Sequence, residues 1–261
     1  MNKFELYAFI LLPILAGGSL VFVLKGRYKQ LIKFFLAFSG AYILALCTLH
    51  LLPETYEQGG KIAGLFVLLG FILQITLEYF SGGVEHGHAH GHSHSHNHTH
   101  KHFPIAMFLS LCIHSFVEGM PLDLGGEGGN HFHHHGHEHH THYHDFDGKS
   151  LLMGIALHNF PISFTLMTLF IAAGLSYIKG FMFLLIFGLS AILGTLAGKL
   201  IVQIDGGEFI TEYISYLVAL VVGMLMHIST MIIFESAEGH RLNALKLVSV
   251  ALGILVAWFT L

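Results

Sequence analysis

One recurrence constrains this chain more than anything else in it: runs of roughly 20 apolar residues follow one another along almost its whole length, with short connections between them. As a helix rising about 1.5 Å per residue, each run covers the ~30 Å of hydrocarbon in a bilayer. A soluble core would interrupt such runs with polar faces, yet only 11% of the 261 residues are charged and 54% are hydrophobic. An average soluble domain carries about a quarter charged residues. The expected fold is therefore all-α, a polytopic membrane protein forming one domain over residues 1–261, with no room for a separate globular unit.

Eight transmembrane helices are expected at roughly 4–24, 32–52, 61–80, 104–124, 149–173, 179–200, 211–234 and 243–260. The first stretch also invites reading as a cleaved signal peptide, since Lys3 precedes it and Ala16 to Ser19 are small. Its long apolar core and the spans that follow favour a retained helix. Cys47 and Cys112 fall inside expected spans, where cysteine acts as a small hydrophobe. Lys25, Arg27, Lys29 and Lys33 crowd the first connection, and Lys101, Lys179, Arg241 and Lys246 lie in or beside the third, fifth and seventh. The positive-inside rule assigns these to the cytoplasm, which leaves both termini extracytoplasmic, and a compact chain of this kind fits a bacterial inner membrane. The opposite connections carry Glu54, Glu57, Asp123, Glu127, Asp145, Asp147, Asp205, Glu208 and Glu212, which would draw cations outward, an attraction screened beyond about 8 Å at physiological salt.

Two connections are histidine-rich and of low complexity. The expected cytoplasmic loop 81–103 alternates His86, His88, His90, His92, His94, His96, His98, His100 and His102 with small and polar residues. The expected extracytoplasmic loop 125–148 opens on four glycines and holds His131, His133, His134, His135, His137, His139, His140, His142 and His144. Such tracts cannot pack a core. Largely neutral at pH 7, their imidazoles suit loose capture of zinc, copper or nickel, with His88, His90, His92, His94, His96 and His98 and then His133, His135, His137 and His139 as candidates. An expression tag or inert spacer is the bland alternative, against which two separate tracts with varied partners argue.

Ionisable groups deep in a span cost about 3 kcal/mol or more when they face lipid, so they normally turn inward and act there. Helix four carries His114 and Glu118 at i, i+4, one above the other on a single face. Helix five carries His158 and Asn159 and then Pro161, which cannot donate to the carbonyl of Leu157. Pro121 is expected to free the carbonyl of Val117 in the same way and to kink helix four beside Glu118. Zinc takes nitrogen and carboxylate oxygen at about 2.0–2.2 Å with four ligands. His114, Glu118 and His158 would supply three of these, with Ser115 and Asn159 as neighbouring donors. A buried His–Glu pair also serves as plain interhelical glue, worth about 0.6 kcal/mol in membranes. His50, His227 and Glu235 are weaker candidates, and Glu78 with Glu235 would sit at the inner end of any exit path. Leu51-Leu52-Pro53-Glu54 and Ile232-Ile233-Phe234-Glu235, at the ends of oppositely directed helices, hint at an inverted repeat of helices 1–3 and 6–8.

With eight spans, a histidine-rich loop between helices three and four, and His114-Ser115-Phe116-Val117-Glu118-Gly119, the chain resembles the ZIP (Zrt/Irt-like) family of divalent metal transporters over essentially its whole length. That family reads His-Asn/Ser-x-x-Asp/Glu-Gly in helix four and His/Gln-Glu/Asp-x-Pro-His/Glu in helix five, matched in part by His158-Asn159-Phe160-Pro161-Ile162; His50 to Glu54 is a further family-like mark. Departures gather at the metal site. Ile162 and Asn159 stand where the family has a ligand and a carboxylate, Ala191 lies in a helix-six stretch that lacks the family's Glu and Pro, and Met231 replaces an expected acid. The resemblance implies a first metal position kept in part and a second position degenerate.

The function expected is transport of a divalent transition metal, zinc first, into the cytoplasm by alternating access, with Zn²⁺ as substrate. A membrane-embedded zinc-dependent hydrolase and a non-transporting metal sensor are the alternatives. No G-x-x-x-x-G-K-S/T loop is present, so ATP hydrolysis by this chain is not expected. Expected partners are divalent ions and the bilayer, with a homodimer allowed for and no nucleic acid. Six-span cation exporters with paired His/Asp sites are disfavoured, because helix two has no intramembrane Asp.

Overall fold

The computed structural model describes residues 2–24, 29–81, 105–124, 148–204, 210–235 and 244–260. Both histidine tracts, and every loop histidine named above, lie outside the described residues. Among the described residues no strand occurs. The chain forms α1 (Lys3–Leu24), α2 (Lys29–Leu46), a π-turn (Cys47–Leu51), α3 (Leu52–Ser81), α4 (Ile105–Gly119), α5 (Gly148–Ala172), α6 (Tyr177–Ile204), α7 (Ile210–Glu235) and α8 (Ala244–Thr260).

Local chemistry sets several ends. Asn2 and Glu5 build a reciprocal cap: the Glu5 amide donates to Asn2 Oδ1 at 2.8 Å and the Asn2 amide to Glu5 Oε2 at 3.1 Å. At the end of α5, Gly174 takes a φ of 85°. There the Leu175 amide reaches Phe170 O at 3.0 Å and the Gly174 amide reaches Ile171 O at 2.9 Å, closing the last turn in the manner that favours glycine. Lys246 Nζ donates to the carbonyl of Ile233 in the last turn of α7, where a cation is favourably placed.

Helical residues run without a gap from 29 to 81, across the expected boundary of helices two and three, so the described residues hold seven uninterrupted helical segments where eight were expected. Within that run, the Leu52 amide bonds Cys47 O across the π-turn, and Gly60 breaks the regular helix with φ 55° and ψ −143°, a conformation glycine adopts without strain. The expected kink of α4 at Pro121 is overturned. The helix stops at Gly119, and the Val117 carbonyl is taken by the Met120 amide at 3.2 Å. A proline two residues past the last helical position terminates a helix and leaves no bent ladder for an ion to use. Pro161, by contrast, is accommodated inside α5.

The helices pair as α3 with α7, α1 with α5, α2 with α8 and α4 with α6, with α2 also against α7 and α5, and α1 against α6. Close approach at the four main crossings depends on missing side chains. A Cβ on Gly70 would strike the Leu220 carbonyl, and one on Gly223 the Val67 carbonyl. Gly17 meets the Phe160 carbonyl, Gly194 that of Phe116, and Gly253 that of Phe38. Where lipid outside is as apolar as side chains inside, such backbone proximity replaces hydrophobic burial as the force between helices.

Five helical stretches are long and apolar enough to cross a membrane: Lys3–Val23, Lys33–Phe80, Gly148–Ala172, Tyr177–Ile201 and Ile214–Phe234. Met107–Gly119 and Ala244–Thr260 are apolar but shorter. Leu65, Leu68, Ile72 and Ile75 on α3, and Leu189, Leu193, Leu196 and Leu200 on α6, form exposed apolar stripes. Water would not tolerate such stripes, whereas hydrocarbon would. The chain is thus an all-helical protein with the character of an integral membrane protein, and α5, enclosed on nearly every face, lies at its centre.

Candidate metal centre

Along α4, Met107, Phe108 and Leu111 belong to one apolar cluster, and Val117 packs against another, which also holds Leu122 just past the helix end. Along α5, Leu151, Leu152 and Ile155 belong to the second cluster, and Ile162, Leu166 and Phe170 to the first. The stretch between the clusters is polar on both helices. It holds His114, Ser115 and Glu118 on α4 and His158 and Asn159 on α5, all essentially inaccessible. This layer is closed at both ends by hydrocarbon packing.

Three of these side chains converge. His114 Nε2 lies 3.0 Å from Glu118 Oε1, as the i, i+4 spacing dictates. The His158 ring stands edge-on to that of His114, at 79° and 6.1 Å between centroids. One ligand atom from each residue lies within 4.8 Å of the other two, and no other such group of His, Cys, Asp or Glu occurs among the described residues. For bonds of about 2.1 Å, tetrahedral ligand atoms sit about 3.4 Å apart. The trio would therefore close by roughly an ångström around zinc, within the reach of side-chain torsions. Two imidazoles and one carboxylate would supply three protein ligands and leave a fourth position of a tetrahedral ion open.

The imidazole of His114 is held from behind. Gln74 on α3 is fully buried, and its Oε1 lies 2.9 Å from His114 Nδ1. An amide carbonyl oxygen accepts, so Nδ1 carries the proton and donates. Nε2, turned to the carboxylate, then shares a further positive charge with Glu118, a proton or a metal. One turn along the same interface, Ser110 Oγ donates to the Leu77 carbonyl at 2.6 Å. Sequence reasoning missed Gln74, although a polar amide amid Phe71, Ile72, Leu73 and Ile75 was the available signal.

The remaining candidates are placed elsewhere or stay open. Ser115 donates to the Phe187 carbonyl on α6 at 3.4 Å. Neither polar atom of Asn159 finds a hydrogen-bond partner among the described residues, so beside His158 it retains a free carbonyl oxygen. His50 sits on the π-turn, half-buried, and His227 lies 3.5 Å from Glu78 and edge-on to Phe71 at the α3–α7 interface; neither joins the trio. The side chain of Glu235 lies outside the described residues. Ile162 and Ala191 are plain apolar core, and Met231 is half-buried.

Fold and site together define a class: a helical membrane-type protein with a buried His/Glu group able to take a metal ion. No protein-family model matches the chain, and no curated protein is similar to it.

Proposed function

We propose that this chain is a transporter of divalent transition metals, zinc foremost, of the ZIP type, carrying the ion into the cytoplasm by alternating access. The observation that carries the reading is the trio His114, Glu118 and His158, fully buried across α4 and α5 between two apolar clusters. An ion held there is cut off from both ends of the bundle, which is what an occluded intermediate of alternating access requires.

The same reading takes the helices as eight spans. A straight helix over the 48 residues of Lys33–Phe80 would be about 72 Å long, more than twice the hydrocarbon thickness, and Gly60 is where it breaks into two crossings. It also takes halves 1–3 and 6–8 as inverted repeats. Exchanging α1 with α6, α2 with α7, α3 with α8 and α4 with α5 turns the α1–α5 contact into α6–α4 and the α3–α7 contact into α8–α2, the four principal pairs of the bundle. It maps α2–α7 and α1–α6 onto themselves. Positive-inside charge then puts both termini outside and the lysine-rich connections in the cytoplasm.

The test is uptake of radioactive zinc by proteoliposomes holding the purified chain, with cobalt, manganese, iron and nickel as competitors. Saturable uptake lost in a His158→Ala variant supports transport. Metal binding without uptake favours a sensor, a reading supported by the apolar Ile162 and Ala191 where the ZIP family carries ligands. Hydrolysis of lipid amides or peptides would favour an enzyme.

A further inference from the structure

We infer that Gln74 is a positioning residue for the metal ion. It holds His114 in the tautomer and ring orientation that aim Nε2 at the cation. The inference rests on the metal-site reading above and adds a residue from a third helix to it.

Three observations converge. Gln74 is fully buried in the apolar span of α3, where a polar amide is retained only with a role. Its Oε1 lies 2.9 Å from Nδ1 of His114, the nitrogen pointing away from Glu118. The facing carbonyl is fixed in register by the Ser110 to Leu77 bond at 2.6 Å, and α3 itself is seated by the close Gly70 and Gly223 crossing with α7. A histidine that ligates through one ring nitrogen needs a proton on the other, and an acceptor behind it sets both the tautomer and the ring plane. If the amide were reversed, its NH₂ would face Nδ1, Nε2 would carry the proton, and His114 could not ligate through the nitrogen beside Glu118. The assignment therefore predicts that an obligatory acceptor can replace Gln74 and an apolar residue cannot.

The experiment uses the full chain in lipid nanodiscs, titrated with Co²⁺ and followed by its visible absorption, alongside Gln74→Leu, Gln74→Glu and His114→Ala. The wild type is expected to bind one Co²⁺ with the intense bands of a low-symmetry, near-tetrahedral site, and His114→Ala to lose them. Gln74→Leu is expected to weaken binding by about 10- to 100-fold and to alter the band shape, the usual effect of removing such a partner. Gln74→Glu, which can only accept when ionised, is expected to restore wild-type band shape with affinity within a few-fold. Wild-type affinity and spectrum in Gln74→Leu, or a Gln74→Glu variant as impaired as Gln74→Leu while metal-free melting temperatures agree, would overturn the role of Gln74 alone. Absence of saturable Co²⁺ binding in the wild type would overturn the metal-site reading together with it.

Discussion

Replacing His114 and Glu118 singly and together separates what the pair does for the fold from what it does for the ion. The two groups are fully buried, with Nε2 and Oε1 3.0 Å apart. At an effective dielectric constant of about 20, opposite unit charges at that separation attract by about 5 kcal/mol. Removing each charge from water costs several kcal/mol, so the pair as a whole contributes little while each member depends on the other. Glu118→Leu and His114→Leu are accordingly expected to destabilise the metal-free protein by about 3–5 kcal/mol each. The double variant should match the parent or exceed it by up to about 1–4 kcal/mol, less the ~0.6 kcal/mol of the lost Gln74 bond. The coupling in this cycle should exceed ~2 kcal/mol, above the ~1.7 kcal/mol found for the strongest membrane hydrogen bonds measured the same way. Denaturing-detergent unfolding followed by circular dichroism gives the four stabilities, and zinc uptake is measured on the same preparations. Uptake should vanish in all three variants. A double variant whose losses simply add, or one that still transports, would refute the claim that this polar layer is kept for an ion and not for the fold.

Glu118→Ala is expected to abolish zinc uptake, because it removes the sole carboxylate of the trio, whereas deletion of residues 86–102 should leave initial rates largely intact; equal losses would overturn this division. Gly70→Val pushes a side chain into the Leu220 carbonyl and should cost about 1–3 kcal/mol in unfolding, while Leu68→Val on the exposed stripe of α3 should cost far less. Ile162→His adds an imidazole one turn beyond His158 on α5 and should tighten Co²⁺ binding by about tenfold, or ~1.4 kcal/mol, in a competition titration. Unchanged affinity there would mean that residue 162 lies out of reach of an ion held by the trio.

The sequence alone determined where most helices run, because lipid demands long apolar stretches and these are written residue by residue. It also determined the His114–Glu118 pair, since i, i+4 is geometry internal to one helix. The tertiary structure decided the rest. Nothing in the primary pattern says how an almost uniformly apolar helix is rotated about its axis, because bundle and lipid offer its side chains the same chemistry. That rotation is set where glycines let backbones touch, as at Gly17 against α5 and Gly70 against α7. It is what brings His158 to the α4 pair, turns Ser115 toward Phe187, leaves His227 beside Glu78 and puts Gln74 behind His114. The π-turn at Cys47–Leu51 and the end of α4 at Gly119 belong to the same group of outcomes, since a proline specifies that a helix is disturbed and only its surroundings decide whether it bends or stops.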